Sequence, residues 1–270
     1  MNMSLAEMEK HLKALRLHGM IATLDTRIIQ ANQGASFTGV FACLVQDELD
    51  YRKSRLIQTR FKASGLTEQP TLTEFDWGFN PKLPKMDIYE LVTGKFIRDG
   101  HDALLIGSPG TGKSHIAKTI ANAAILSGYK VVYREAHTFF EDLFEATQLN
   151  RRKKLNKLFS ETDLMVIDDL FLRKKVPEQA ADDLLDIILN RYASRKSTLL
   201  TSNRPIEDWG QLLRDNAASS AILDRLLHRG HLLKFEGKSY RLKEAASRLT
   251  QSKQKTRDEK GKSMDLSTED

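Results

Sequence analysis

Eight consecutive residues, Gly107-Ser108-Pro109-Gly110-Thr111-Gly112-Lys113-Ser114, have the spacing G-x-x-x-x-G-K-S of a phosphate-binding P-loop. The glycines at 107, 110 and 112 allow left-handed or crowded backbone, so that N–H groups can turn inward onto phosphate oxygens. Lys113 is placed to reach the β- and γ-phosphates of ATP, and the Ser114 hydroxyl to ligate Mg²⁺. A nucleotide hydrolase also needs an acid for the metal, a group that positions water, and cations for the transferring phosphoryl group. Asp168 and Asp169 close the apolar run Leu164–Ile167, the pattern of a Walker B strand. Asp168 is expected to act on Mg²⁺ through water, and Asp169 to orient or activate the attacking water.

Two further positions suit that chemistry. Thr201-Ser202-Asn203 ends another apolar stretch. In the additional-strand class of P-loop ATPases a strand lies between the P-loop and Walker B strands, and a polar residue at its tip contacts the γ-phosphate or the water. Asn203 is the candidate; an Asn that caps the loop before Pro205 is the competing reading. Arg225 follows Asp224 near the end of a helical run. It is expected to act as an arginine finger on the nucleotide of a neighbouring subunit, which ties hydrolysis to assembly. An intrachain pair with Asp224 competes. His228 and His231 have no Cys or acidic ligands clustered with them, so no zinc-type site is expected.

The elements that must hold these residues alternate. Strands are expected at 102–106, 130–134, 164–167, 197–202 and 232–235. Helices are expected at 86–98, 114–128, 138–150 (continuing through the basic run to 159), 177–195 and 209–229. That alternation predicts an α/β domain with a mainly parallel five-stranded sheet over residues 99–250. Before it, residues 1–62 read as a small all-helical domain. Ser4–Gln33 carries an apolar stripe, with Gly19 a possible break, and Thr38–Lys62 is a second helix with Phe41, Leu44, Val45, Leu49 and Leu56 turned inward. Residues 63–98 form a linker and lead-in helix. In it, Phe75 and Trp77 either cover an adenine ring or make plain core contacts. Residues 251–270, poor in apolar side chains, are expected to be disordered.

The chain of 270 residues is 40% hydrophobic and 29% charged, with a net charge of +6. A basic balance permits nucleic-acid contact without proving it. Arg52, Arg55 and Lys62 share a helix face, and Arg151, Arg152, Lys153 and Lys154 form a basic run; each set is either a solvated surface or a phosphate-backbone contact. A single cysteine, Cys43, fits a reducing cytoplasm. No signal peptide or apolar run long enough for a membrane span is expected.

With these residues in place, the sequence resembles the AAA+ ATPases of the helicase-loader clade, the DnaC/DnaI group, and within it the IstB-like transposition helpers of bacterial insertion sequences. The matching stretches are Thr71–Trp77, Glu90–Ile97, Gly107–Ser114, Leu164–Asp169, Thr201–Asn203, Asp208–Gln211, Leu223–His228 and Ser239–Lys243. The resemblance implies ATP-dependent oligomers that hold and bend duplex DNA, a cognate transposase as partner, and Asn203, Arg225 and Arg241 as sensor 1, arginine finger and a sensor-2-like arginine. Two departures matter. Asp169 stands where most AAA+ proteins have Glu, one methylene longer, which implies slow hydrolysis. Few residues follow Arg241, so no full helical lid domain is expected. A replicative helicase loader is the alternative within the clade.

Overall fold

The computed structural model describes residues 3–172 and 177–247, and the chain divides into two compact units, Met1–Ala63 and Ser64–Asp270. The expectation of disorder for 251–270 lies outside the described residues.

The second unit is built on five strands: β1 Asp102–Gly107, β2 Val131–Glu135, β3 Leu164–Leu170, β4 Ser197–Ser202 and β5 Gly230–Phe235. Their order across the sheet is β2-β3-β4-β1-β5, and every neighbouring pair is parallel. The expected additional strand is therefore β4, between the strand that feeds the P-loop and the strand that ends in Asp168-Asp169. A parallel sheet covered on both faces needs unbroken apolar strands. Leu105, Val166, Ile167, Leu199 and Leu200 are accordingly fully buried.

Eleven α-helices and two short 3₁₀ turns complete the described fold. In the sheet unit they are α4 Lys85–Val92, α5 Lys95–Asp99, α6 Lys113–Leu126, α7 Ala136–Gln148, α8 Arg152–Glu161, α9 Ala180–Ala193, α10 Trp209–Leu213 and α11 Asn216–His228. Three segments expected to be continuous are divided, each at a left-handed residue. Gly94 (φ 74°) separates α4 from α5, Asn150 (φ 55°) separates α7 from α8, and Arg214 (φ 57°) separates α10 from α11. The last break is reinforced by Asp215, whose carboxylate caps α11 by accepting from the Ala218 N–H at 2.8 Å. One core joins α7, α8, α9, α10 and α11 to the sheet through Phe139, Phe159, Leu184, Ile187, Trp209 and Ile222. Behind it Arg191, 1% exposed, donates to the carbonyls of Phe159, Thr162 and Ser197 and to Thr198 Oγ1.

The first unit contains α1 Leu5–Ala14, α2 His18–Asn32 and α3 Phe37–Ser64. Ser4 and Glu7 form a capping box at the start of α1. The break between α1 and α2 falls at Arg16 (φ 58°), not at Gly19. Gly19 lies inside α2 because α3 crosses there: a Cβ on it would meet the Asp47 carbonyl and Tyr51 Cβ at 2.6 Å. At that crossing the buried Glu48 carboxylate accepts the Gly19 and Met20 amides (2.6 and 3.3 Å) and Arg52 Nε (2.6 Å). Arg27 binds Asp47 in a two-pronged pair, and Thr23 adds a hydroxyl.

The inward set expected for α3 is overturned. Leu44 is half-buried, but Phe41, Val45, Leu49 and Leu56 are exposed. Steps of four residues advance about 40° around a helix. The stripe thus drifts away from the face that Asp47 and Glu48 press against α2. Among the described residues no helix is long and apolar enough to cross a membrane.

Candidate nucleotide site

The P-loop leaves β1 at Gly107 and enters α6 at Lys113. Gly112 (φ 103°) caps α6 with a conformation that L side chains rarely adopt, and a Cβ there would stand 2.6 Å from the Phe75 ring. The N-terminus of α6 faces the loop, so its dipole and free amides favour an anion. Lys113, 4% exposed, donates to the Gly107 and Ser108 carbonyls at 2.8 and 2.9 Å. Burial lowers its pKa, opposed by the charges of Asp169 and Asp168. The ammonium is thus desolvated and held by neutral acceptors, a state in which phosphate oxygens are strong competitors.

A cleft of about 170 Å³ brings together residues far apart in sequence: Gly110, Lys113, Ser114, Asp169, Asn203 and Arg241 all line it. Asp169 reaches it through backbone distortion. The β3–β4 register slips between Ile167 and Leu170, and Asp169 takes φ 55°. Its N–H donates to Thr201 Oγ1 at 2.8 Å, which fixes the kink. Burial raises the Asp169 pKa, with the charge of Asp168 adding to it. A carboxylate pushed up in this way is a better proton acceptor near neutral pH. Asn203 lies one residue past β4, and its buried Oδ1 has no hydrogen-bond partner among the described residues. An orphaned buried acceptor is costly and marks a place where a ligand or water belongs.

Asp168 lies behind this cleft, not on its wall. It is 3% exposed; Tyr133 OH donates to its Oδ2 at 2.6 Å, and the Thr201 hydroxyl donates to Oδ1. Tyr133 and Thr201 therefore clamp the Walker B acid. Arg225 is outside the cleft, paired with Asp224 at 2.8 Å on the surface. The intrachain reading of that arginine holds in this state, and the exposed pair leaves the guanidinium open to exchange partners. A hydroxyl on the cleft wall, Ser114, and a carboxylate behind it, Asp168, are the oxygen donors that Mg²⁺ takes; they would hold the ion directly and through water, with phosphate oxygens as further ligands.

A second hollow, of about 300 Å³, adjoins the first and is lined by Phe75, Phe79, Asn80, Thr111, His115 and Tyr240. His115 and Tyr240 border both. The segment after β5 forms its far wall. Tyr240 N–H donates to the Gly110 carbonyl at 2.8 Å, and Lys238 and Asn80 exchange two hydrogen bonds of 2.9 Å. Lys243 pairs with Asp76 at 2.8 Å. This strap seats Arg241 over the P-loop. Phe75 is half-buried, packs on Trp77 and His115 (4.7 and 5.6 Å between rings) and lines the hollow.

The remaining candidates are on surfaces. Arg151 and Lys153 are exposed at the start of α8, whereas Arg152 is engaged with Asp183, Thr147 and the Leu143 carbonyl. In the N-terminal unit Arg55 and Lys62 are exposed, and Arg52 is held by Glu48. Sequence reasoning missed Tyr133, Thr201 as a clamp, His115 and Tyr240. Tyr133 carries a legible signal, a hydroxyl that follows two apolar residues, Val131 and Val132, in its strand; the others depend on which elements meet.

Comparison with known proteins gives the same architecture. Residues 10–248 match the family described as IstB-like ATP binding protein. The chain is 35% identical over 212 residues to the protein named as the ATP-binding protein of insertion sequence IS5376 from Geobacillus stearothermophilus, covering 78% of this chain and 83% of that one. It is 30% identical over 239 residues to the corresponding protein of insertion sequence IS21 from Pseudomonas aeruginosa, covering 88% and 89%. Among solved structures, AMPPCP-bound DnaA from Aquifex aeolicus superposes with a TM-score of 0.53 at 24% identity, over 69% of this chain and 56% of that one. The DnaC helicase loader superposes at 0.50 and 20% identity, over 66% and 99%. These likenesses show an AAA+ fold.

Proposed function

Because the chain belongs to the IstB-like ATP-binding family, we propose that it is an ATP-hydrolysing helper of DNA transposition, which assembles on duplex DNA with ATP, bends it, and recruits or stimulates a cognate transposase. The observation that carries the hydrolytic part is the single cleft in which Lys113, Ser114, Asp169, Asn203 and Arg241 converge. ATP places its phosphates there and its base in the adjoining hollow between Phe75 and Tyr240. Lys113 leaves the loop carbonyls for the β- and γ-oxygens. Ser114, and Asp168 through water, would hold Mg²⁺, which when bound would supply charge neutralisation of those oxygens. Asp169 takes a proton from water as the water oxygen bonds to the γ-phosphorus and the bond to the β-bridging oxygen breaks, releasing ADP. Asn203 orients that water or the γ-phosphate, and Arg241 takes up negative charge.

Arg225 of one copy serves the γ-phosphate of the next, exchanging Asp224 for phosphate. ATP thereby favours assembly, and assembly sums phosphate contacts from Arg55, Lys62, Arg151 and Lys153 of each copy, with Arg52 and Arg152 behind them. Such contacts tolerate any sequence and weaken with salt. The names of the insertion-sequence relatives support this reading over a replicative helicase loader.

The test is light scattering after size exclusion, with ATP, ADP or no nucleotide and about 60 base pairs of duplex or an equal length of single strand. ATP-dependent assembly on duplex, lost in Arg225→Ala, is the expected result. Preference for single strand would move the protein to the helicase loaders, and indifference to ATP would overturn the reading.

A further inference from the structure

Among the described residues three buried side-chain atoms lack a hydrogen-bond partner: His115 Nε2, Asn203 Oδ1 and Arg204 Nε. Asn203 already has a place at the phosphates, whereas the hydrolytic chemistry leaves His115 unused. His115 is the third residue of α6 and borders both the phosphate cleft and the adjoining hollow. Its ring is tilted against Phe75 with 5.6 Å between centroids, a contact that steadies the imidazole and leaves Nε2 without a bond. Three other polar side chains of the hollow are engaged elsewhere. Asn80 is bonded through both amide atoms to the Lys238 backbone, at 2.9 Å each. The Thr111 hydroxyl donates to the Ser108 carbonyl at 2.8 Å, and Asp76 is held by Lys243 at 2.8 Å. An imidazole nitrogen buried without a partner costs stability, and so marks a place where a ligand atom or water belongs.

We infer, resting on the reading of this site as one for ATP, that His115 reads the base of the nucleotide: it donates from Nε2–H to the N7 atom of a purine and so selects purine over pyrimidine nucleotides. Position names the atom. With the phosphates on the P-loop and the base between Phe75 and Tyr240, the sugar spans the boundary on which His115 stands. In a nucleotide whose base is anti to its sugar, the edge that carries C8 and N7 lies toward the phosphates, and the edge that carries N1 and C2 lies away from them. A group on that boundary therefore meets N7. N7 is an acceptor with no proton of its own, so it calls for a donor, and an imidazole N–H supplies one. The α-phosphate is a weaker candidate, because the backbone amides at the N-terminus of α6 already face the phosphates. Packing holds the base and the phosphates in one frame. A Cβ on Gly112 would lie 2.6 Å from the Phe75 ring, so that ring is seated on the P-loop itself. Tyr240 is tied to the same loop by its N–H, which donates to the Gly110 carbonyl at 2.8 Å. N7 is common to adenine and guanine, so this bond rejects cytosine and uracil and leaves the choice between the purines to other groups.

The experiment is titration calorimetry on the full chain with Mg²⁺ and nucleoside diphosphates, so that neither hydrolysis nor assembly driven by a γ-phosphate enters. The ligands are ADP, 7-deaza-ADP (in which a C–H replaces N7), 2′-deoxy-ADP and CDP. Wild type is expected to bind ADP about tenfold more tightly than 7-deaza-ADP, the usual consequence of leaving a buried donor unpaired. CDP should bind at least as weakly as 7-deaza-ADP. His115→Leu should weaken ADP by the same factor, bind ADP and 7-deaza-ADP alike, and keep whatever distinction wild type makes against 2′-deoxy-ADP. His115→Gln, whose amide can place a donor in nearly the same position, should recover part of the preference for ADP over 7-deaza-ADP. A merely structural role would weaken every ligand by one factor and leave their ratios intact, and so would overturn the proposal. Wild type that binds ADP and 7-deaza-ADP alike would overturn it while leaving the ATP reading in place. So would His115→Leu that keeps the preference for ADP over 7-deaza-ADP, or that loses instead the distinction against 2′-deoxy-ADP, which would give His115 to the sugar. Wild type that binds none of the four would overturn the ATP reading, and this one with it.

Discussion

Val166, Leu199 and Leu200 in the sheet unit and Phe41, Val45 and Leu49 in the N-terminal unit come from equally apolar stretches, yet the first three are 0% exposed and the second three are 54%, 37% and 55% exposed. The difference lies in what each stretch can be packed against. A central strand meets helices from both faces of its sheet, and Phe139, Phe159, Ile187 and Trp209 close over it. Helix α3 has α2 along one side, joined to it mainly by polar contacts at Gly19, Glu48, Asp47 and Arg27. Periodicity therefore reports that a face will be covered, and does not report whether the cover belongs to the same chain.

The chemistry belongs wholly to the sheet unit, and the largest expected effect follows from that. Asp169→Asn should reduce ATP turnover by about 10²–10⁴-fold, the usual worth of a positioned proton acceptor. ATP affinity and the urea midpoint should stay near wild type, because Asn keeps the shape and the Thr201-anchored backbone. Burial, and then Asp168, raise the pKa of Asp169, so the acid limb of the wild-type rate should fall above the ordinary carboxylate range. A limb at the ordinary range, or a variant that keeps its turnover, would take the role away from this side chain.

Core substitutions test the contrast in packing itself. Phe159→Ala removes a ring that is 0% exposed between α8 and the sheet, and should cost about 3–5 kcal/mol. Leu49→Ala on α3 should stay within about 0.5 kcal/mol in dilute, monomeric protein. Urea titration at low micromolar concentration measures both. A cost above 1 kcal/mol for Leu49→Ala under those conditions would mean that this face of α3 is internal core after all.

The two units should also answer pH in opposite senses. Asp102 sits at the foot of β1 and accepts the Thr198 N–H at 2.6 Å. Burial raises its pKa to about 6, while Thr198 and the nearby Arg191 work against that rise. A carboxyl raised in the folded state favours folding most below its unfolded value, and that contribution is lost as pH rises through 6. Between pH 7.5 and 5 the sheet unit should gain about 1.4 kcal/mol from this group, roughly half of its full effect. Trp77 and Trp209 are the only tryptophans and both lie in this unit, so their fluorescence in urea isolates it. Asp102→Asn should flatten the gain; a gain that persists would assign it elsewhere.

Much of this was legible in the residues. The five strands, the P-loop and the Asp168-Asp169 pair at a strand end follow from apolar runs and motif spacing, since each is a local property of a few neighbouring residues; the place of β4 in the sheet followed only from likeness to the additional-strand class of P-loop ATPases. The divisions of α4 from α5 and α10 from α11 were not, because Gly94 and Arg214 stop a helix only where packing turns the chain. The site was legible as a set of residues and not as an arrangement. Nothing in the spacing says that Asp169 leaves the ladder through a left-handed kink while Asp168 is clamped behind it by Tyr133 and Thr201. Nor does it show the strap from Asn80 to Lys238 that seats Tyr240 and Arg241 on the P-loop. Those are contacts between residues up to 158 apart.

A further modest effect concerns the joint between α2 and α3. Helix α2 has no side-chain cap of its own at Leu17; Glu48 supplies one from α3. Replacing it by Ala should cost about 1–2 kcal/mol, as loss of a helix cap does, while Gln should retain most of the acceptor function. Burial pushes the Glu48 pKa up, but the bonds from Arg52 and the Gly19 and Met20 amides outweigh it and hold the group below its usual value. Arg27 and Thr23 hold Asp47 low in the same way. A carboxylate depressed in the folded state stabilises above its unfolded pKa and loses that contribution as pH falls through the folded one. The N-terminal helices should therefore loosen on acidification below about pH 4.5, where Asp102 has begun to favour the sheet unit. An acid titration followed by far-ultraviolet circular dichroism and by tryptophan fluorescence separates the two, because both tryptophans belong to the second unit. Helical signal should fall before the fluorescence moves, and earlier still in Glu48→Ala. Coincident transitions would mean that the two units unfold as one.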